Sequence, residues 1–125
     1  MSIVLMNWVY ISDEVAADAD YFVTAARPNT DATMANTSLA AGHNGGGRNV
    51  TVTTNGSESG INLTATGTDM DGATQSEVIA LPGSATLTAG TKIFKTVTAV
   101  SVSSQPAANI TVGFGGVAGS KIGGG

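Results

Sequence analysis

Side chains able to do chemistry are few in this chain. His43 is its sole imidazole and lies in His43-Asn44-Gly45-Gly46-Gly47. A hydrolase needs a nucleophile, a base and an orienting acid held in register, and a glycine-rich stretch is poorly suited to fixing the base. A solvent-exposed loop histidine is the expectation. Asp69 and Asp71 stand one residue apart, a spacing open to paired-carboxylate acid–base work, but Gly72 follows and makes a hairpin corner the better reading. Asp69-Met70-Asp71-Gly72 also has alternate oxygens of the calcium-loop kind, without the further ligands and closing glutamate such a loop uses. Asp13, Glu14, Asp18 and Asp20 form a second acidic group that reads as a solvated face. Gly45-Gly46-Gly47 carries no following Lys-Ser/Thr and leads into a strand, so it reads as a flexible linker and not as a phosphate cradle. Asn36, Asn49, Asn55, Asn62 and Asn109 each begin an Asn-X-Ser/Thr triplet, which a Thr-rich composition produces unaided. The expectation is a non-enzymatic chain with no catalytic residue, cofactor or metal.

The composition sets what can position any site. With 125 residues the chain fits one domain. Hydrophobic residues make up 42%, yet aromatics are 5% and glycines number 17, which predicts a thin core of small and β-branched side chains. Charged residues are only 11% and the net charge is −4, so the basic footprint of a nucleic-acid binder is missing. Lys92, Lys95 and Lys121 are scattered and suit edge protection better than DNA contact. There is no cysteine, which excludes a disulfide scaffold and Cys-ligated zinc. Ser2–Ile11 is apolar but has no leading Lys or Arg and carries Asn7 and Trp8. It makes a weak signal peptide and is far too short for a membrane span, so no membrane partner is expected.

Alternation and turn residues predict an antiparallel β-sandwich, of jelly-roll or immunoglobulin-like topology, over residues 48–114. Val50 and Val52 alternate with Thr51 and Thr53, and Ile61, Leu63 and Ala65 with Asn62, Thr64 and Thr66. Asn55-Gly56 between them suits a positive-φ turn. Asp71-Gly72 predicts the next turn, a third strand runs from about Ala73 to Leu81, and Pro82-Gly83 ends it. Ala85–Thr88 is a fourth strand. Lys92–Ser103 reads as one long strand with a bulge near Thr98–Val100, because Val97, Val100 and Val102 do not hold a single period. Ile110, Val112 and Phe114 close the pattern, and residues 115–125 read as a flexible Gly-rich tail.

Residues 1–47 read differently, as an arm and loop. Ile3–Ile11 is strand-like, Ser12-Asp13-Glu14 could cap a short helix, Tyr21–Thr24 is β-prone and Asn29–Gly47 is loop-like. The only Trp and both Tyr residues fall here. Aromatics and Arg are enriched where one protein grips another, so Trp8, Tyr10, Tyr21, Phe22 and Arg27 are the expected partner-binding residues.

The runs Arg48-Asn49-Val50-Thr51-Val52-Thr53 and Leu63-Thr64-Ala65-Thr66-Gly67-Thr68-Asp69-Met70-Asp71-Gly72 resemble small Thr/Val/Gly-rich virion structural proteins of tailed bacteriophages. The resemblance continues through Ser76-Glu77-Val78-Ile79, Leu81-Pro82-Gly83, Lys92–Val100 and Ile110-Thr111-Val112-Gly113. It begins near Met34 and covers roughly two-thirds of the chain; the earlier residues depart from the pattern. It implies a capsid decoration, or cement, protein on the virion surface, which binds the major capsid protein and itself clusters as a homo-oligomer, a trimer. Many copies would each add burial and strand pairing at interfaces of roughly 800 Å² per partner. The alternative the resemblance leaves open is a tail, neck or fibre component that contacts the host.

Overall fold

The computed structural model describes residues 17–38 and 47–119, all of it strand, turn and loop. Seven strands run in the order β1 Asp18–Ala26, β2 Gly47–Thr54, β3 Asn62–Thr68, β4 Thr74–Ala80, β5 Leu87–Phe94, β6 Thr96–Val102 and β7 Ile110–Gly119. They form two antiparallel sheets, a large one ordered β1-β7-β2-β5 and a small one ordered β4-β3-β6. The predicted β-sandwich is therefore the architecture of the chain.

Strand pairing decides between the two topologies left open by the sequence. In an immunoglobulin sandwich the last strand lies in the sheet of strands C and F, whereas here β7 sits between β1 and β2 in the opposite sheet. Residues 30–38 make two antiparallel bridges to β6, Asp31 to Ser101 and Ser38 to Thr96. Counted as a strand, that segment completes a nested series: β1 with β7, 30–38 with β6, β2 with β5, and β3 with β4. A long hairpin folded over so that its outermost strands pair first and its innermost last is a jelly roll, with its second strand reduced here to the two bridges.

The core is the space between the sheets. Val50, Val52, Ile110, Val112 and Phe114 face inward from the large sheet, and Leu63, Ala65, Val97, Val100 and Val102 from the small one, all buried. Small and β-branched residues dominate, as composition predicts, but the three phenylalanines Phe22, Phe94 and Phe114 are also all at 2% exposure or less. They supply the volume that the valines lack.

Each sheet would present unpaired edges, and the chain stitches both open sides itself. On one side, residues 30–37 trade backbone hydrogen bonds with β6: Val102 N–H to Thr30 O (2.8 Å), Ala32 N–H to Val100 O (2.9 Å) and Val97 N–H to Thr37 O (2.8 Å). The same segment reaches β1 through Ala35 N–H to Phe22 O at 2.7 Å. On the other side, side chains replace a strand. Glu77, paired with Ala65 on the inner face, accepts the N–H groups of Thr91 (2.7 Å) and Lys92 (3.3 Å). Lys92 Nζ donates back to Ser76 O at 2.9 Å, and Gln75 Nε2 to Ile93 O at 2.7 Å.

Several sequence expectations are corrected. The domain boundary at Arg48 does not hold, because β1 lies within the large sheet and contributes Phe22 and Val23 to the core. The tail expected from residue 115 is strand as far as Gly119, paired with β2 through Gly47 and Arg48; glycine has little β preference of its own, but backbone pairing needs no side chain. Ala85–Thr88 and Lys92–Ser103 are repartitioned into β5 and β6, which lie in different sheets with the break at Lys95. Asn55-Gly56 is not a positive-φ hairpin turn, since β2 and β3 belong to opposite sheets and Gly60 carries the positive φ of that connection (88°). The Asp71-Gly72 hairpin does form: Gly72 has φ 86°, and Asp69 Oδ1 accepts the Asp71 and Ala73 amides at 2.8 and 3.0 Å. The bulge expected near Thr98 is also present, as Thr66 and Gly67 pair with Ala99 and Val97 and skip one residue.

One end of the sandwich is tied by a buried carboxylate. Glu58 is 2% exposed and accepts the amides of Ala107 (2.9 Å) and Ala108 (2.7 Å), joining the β2–β3 and β6–β7 loops. Hydrogen bonds to a charged group contribute more than neutral ones, and removing the acceptor strands two buried donors. Glu58→Ala is expected to lower unfolding free energy by about 3 kcal/mol, read from the urea midpoint at unchanged slope; a loss under about 0.5 kcal/mol would show that water replaces the carboxylate.

Candidate interaction surface

The large sheet departs from the usual half-covered pattern. β2 is buried on nearly every residue, so its outward side chains are covered as well as its inward ones. Asn49 and Thr51 are 2% and 3% exposed. Thr51 pairs with Gly113 and Ala89, and Thr53 with Thr111 and Leu87, which places all of them on the outer face. The hydroxyls of Thr51 and Thr53 are buried there without a hydrogen-bond partner among the described residues.

Over the same face lies a shallow groove of about 340 Å³, bordered by Ala17, Ala19, Asn49, Thr51, Leu87 and Ala89 together with the 114–116 stretch of β7. Its existence depends on Gly113. A Cβ there would collide with the Asp18 carbonyl oxygen and with Ala19, so the missing side chain lets the start of β1 climb out of the sheet plane and over the outer face. β1 accommodates this with a long irregularity, its partners stepping from Phe114 at Asp18 to Val112 at Val23. Ala17 and Ala19 thereby share a groove with Leu87 and Ala89, although β7 and β2 separate β1 from β5 in the sheet. Leu87 is 51% exposed and Val78 62%, the large exposed apolar side chains among the described residues. Val78 stands on the outer face of the small sheet, paired with Thr64, so only Leu87 belongs to the groove.

Beneath the groove sits an aromatic cluster that faces inward. Phe114 packs edge-to-face with Tyr21 (centroids 5.1 Å apart, 77°) and Phe22 (6.4 Å, 68°). The Arg48 guanidinium lies 5.3 Å from the Phe114 ring centroid and donates from Nη1 to Gly115 O at 2.7 Å. A buried cation is costly unless its donors are met; here a ring face and a glycine carbonyl meet part of that need.

The residues expected to bind a partner are therefore dispersed. Phe22 is 1% exposed and belongs to the core, because the β1 irregularity turns it inward beside Tyr21. Tyr21 is half-buried and donates its hydroxyl to Ser38 O at 2.8 Å. Arg27 is exposed, but its Nε donates to Pro106 O at 2.9 Å and its carbonyl accepts from Gln105 Nε2 at 3.0 Å, closing the Glu58 end. Trp8 and Tyr10 lie outside the described residues, as do His43, Lys121 and the Ser12-Asp13-Glu14 cap. Of the acidic group, Asp18 and Asp20 are described; the Asp18 carboxylate raises the Asp20 carboxyl above its ordinary value through a hydrogen bond and like charge. No group of three or more His, Asp or Glu comes together among the described residues. Sequence reading missed Leu87, Ala89 and Thr51 because their shared face appears only once β2 and β5 are paired.

No family model, curated protein or solved structure matches the chain.

The two partnerless hydroxyls make a direct check on this face. Threonine differs from valine by a hydroxyl in place of a methyl, and a buried hydroxyl without an acceptor costs more than the apolar group that would replace it. Thr51→Val and Thr53→Val are each expected to raise unfolding free energy by about 1 kcal/mol, measured by urea denaturation. Destabilisation by either would show that its hydroxyl has an acceptor.

Proposed function

We propose that this chain is a structural, non-enzymatic capsid decoration protein that binds the outer surface of a bacteriophage major capsid lattice and stabilises the shell. The observation that carries the reading is the outer face of the large sheet, where Leu87 is half-exposed beside an apolar groove. A face of that kind gains from contact with another protein surface. The jelly-roll pairing adds support by analogy only, since that fold serves viral capsids and also lectins and enzymes.

The structure favours one mode of contact over another. Strand addition needs a free sheet edge, and parts of the β6 and β5 edges are already engaged, Val97 and Val102 by residues 30–37 and Thr91 and Lys92 by Glu77. Docking in this proposal is face to face, through the exposed Leu87 and its groove. It buries Leu87 and its surroundings against the shell, and summed over many copies such burial resists outward pressure without chemistry. A trimeric cluster would multiply the contacts made by each docking event.

Burying a leucine side chain contributes roughly 1.5–3 kcal/mol. Leu87→Asp is expected to lower occupancy on purified capsids by at least about tenfold at subsaturating protein, by gel densitometry of sedimented particles, with an unchanged melting transition. Val78→Asp, on the other sheet, is expected to bind as the parent does. Equal occupancy of all three would remove the large-sheet face from the proposal.

A further inference from the structure

Asn55-Gly56 does not serve as a hairpin turn, and its geometry suits a different chemistry. We propose that Asn55 is a site of spontaneous deamidation, in which the Gly56 backbone nitrogen attacks the Asn55 side chain and leaves an aspartyl or isoaspartyl residue at the end of the sandwich that Glu58 ties.

The pair follows directly on β2, where the chain bends into the β2–β3 loop. Asn55 is exposed and anchored by its backbone, its N–H donating to Asn109 O at 3.1 Å. No described residue hydrogen-bonds its side-chain amide or the Gly56 N–H. Nucleophile and target thus stand in adjacent residues with neither engaged, which favours intramolecular attack. Glycine adds no Cβ to screen the attacking nitrogen.

The other candidates among the described residues lack this combination. At Asp71-Gly72 the Gly72 N–H donates to Asp69 O at 3.1 Å, and the leaving group would be hydroxide, poorer than ammonia. Asn49 is 2% exposed and donates Nδ2 to Gly90 O at 3.1 Å. Asn36 donates Nδ2 to Tyr21 O at 2.9 Å. Asn29, Asn62 and Asn109 precede Thr30, Leu63 and Ile110, whose branched side chains crowd the nitrogen that would attack.

The reaction needs only water. Hydroxide takes the proton from the Gly56 nitrogen, a bond forms from that nitrogen to Asn55 Cγ, the Cγ–Nδ2 bond breaks, and ammonia leaves with a proton from water. Water then opens the succinimide. Attack at Cγ restores the chain with an aspartate side chain; attack at the main-chain carbonyl leaves the chain running through Cγ as an isoaspartyl link. Either product carries a new negative charge, and nothing is oxidised or reduced.

The position gives the change a structural consequence. Gly56 abuts Ala108, since a Cβ on it would lie 3.2 Å from the Ala108 Cβ, and the Ala108 amide is held by the Glu58 carboxylate. A carboxylate three residues from Glu58 sets like charges near one another. An isoaspartyl link also lengthens the backbone by about 1.5 Å between two fixed points, Asn55 N–H on Asn109 O and Glu58 N–H on Pro82 O. Conversion therefore loosens this end of the sandwich, and the inference does not rest on the docking proposal.

The test is to hold the intact chain at physiological temperature and mildly alkaline pH, folded and in urea, and to follow each asparagine by peptide mapping. Trypsin cuts after Arg48 and so places Asn44-Gly45 and Asn55-Gly56 in different peptides. In the folded chain Asn55 is expected to convert ahead of every other described asparagine, at a rate within about threefold of that in urea, and with isoaspartate among the products. Gly56→Ala, with its fold checked by a cooperative melt, is expected to slow conversion by at least about tenfold. Converted protein is expected to unfold at a lower urea concentration than fresh protein, while Gly56→Ala protein held as long keeps its midpoint. An Asn55 that converts in urea but stays intact in the folded chain would overturn the proposal, as would equal rates for parent and Gly56→Ala. Aspartate without isoaspartate would overturn the attack by Gly56, and an unchanged midpoint in converted protein would overturn the loosening.

Discussion

Backbone hydrogen bonding at the open sides of the sandwich is the constraint around which this structure is built. Two small sheets of mostly Val, Thr, Ala and Gly bury little apolar area per residue, and unpaired strand edges would add both a desolvation cost and an invitation to aggregate. The chain meets the constraint in two chemically different ways. Along β6 it lays down residues 30–38, whose backbone pairs as a rudimentary strand. Along β5 it turns a charge inward from the neighbouring sheet, so that the Glu77 carboxylate receives the amides a strand would have received. Both devices bind one sheet to the other, and the first completes the nested order of a jelly roll.

Glycine performs a related service on the large sheet. The run from Gly113 to Gly116 has one bulky member, Phe114, which points to the core. The bare backbone on either side lets Arg48 reach a carbonyl and lets β1 cross above the sheet. A strand so poor in side chains is weak alone; held between β1 and β2 it becomes the centre of the sheet and of its outer groove.

Much of this was legible in the sequence where local chemistry decides it. The Val/Thr alternation of β2, the Asp71-Gly72 corner and the slip near Thr98 each follow from side-chain period or from a backbone requirement, and each is present. What was not legible depends on distant partners. Residues 115–119 read as linker because glycine signals flexibility, and only pairing with Gly47 and Arg48 makes them strand. Tyr21, Phe22 and Arg27 read as a binding patch by residue type, yet the first two pack against Phe114 and the third reaches the 105–106 turn. Leu87, Ala89 and Thr51 carried no local signal at all, since they become one surface only through the β2–β5 register.

These parts make a domain whose two sheets are linked along both sides and whose large sheet carries an apolar groove on its outer face. A half-exposed leucine beside an apolar groove sets the outer side of the large sheet apart as the face we propose for contact. The most direct measurement is cryo-imaging of purified phage particles at a resolution that resolves strands, with copy number taken from the same sample. The account predicts copies comparable in number to the major capsid protein, seated on the outer shell with the β1-β7-β2-β5 sheet turned toward it. A few copies at the tail vertex, or a shell contact made through the β4-β3-β6 sheet, would contradict it.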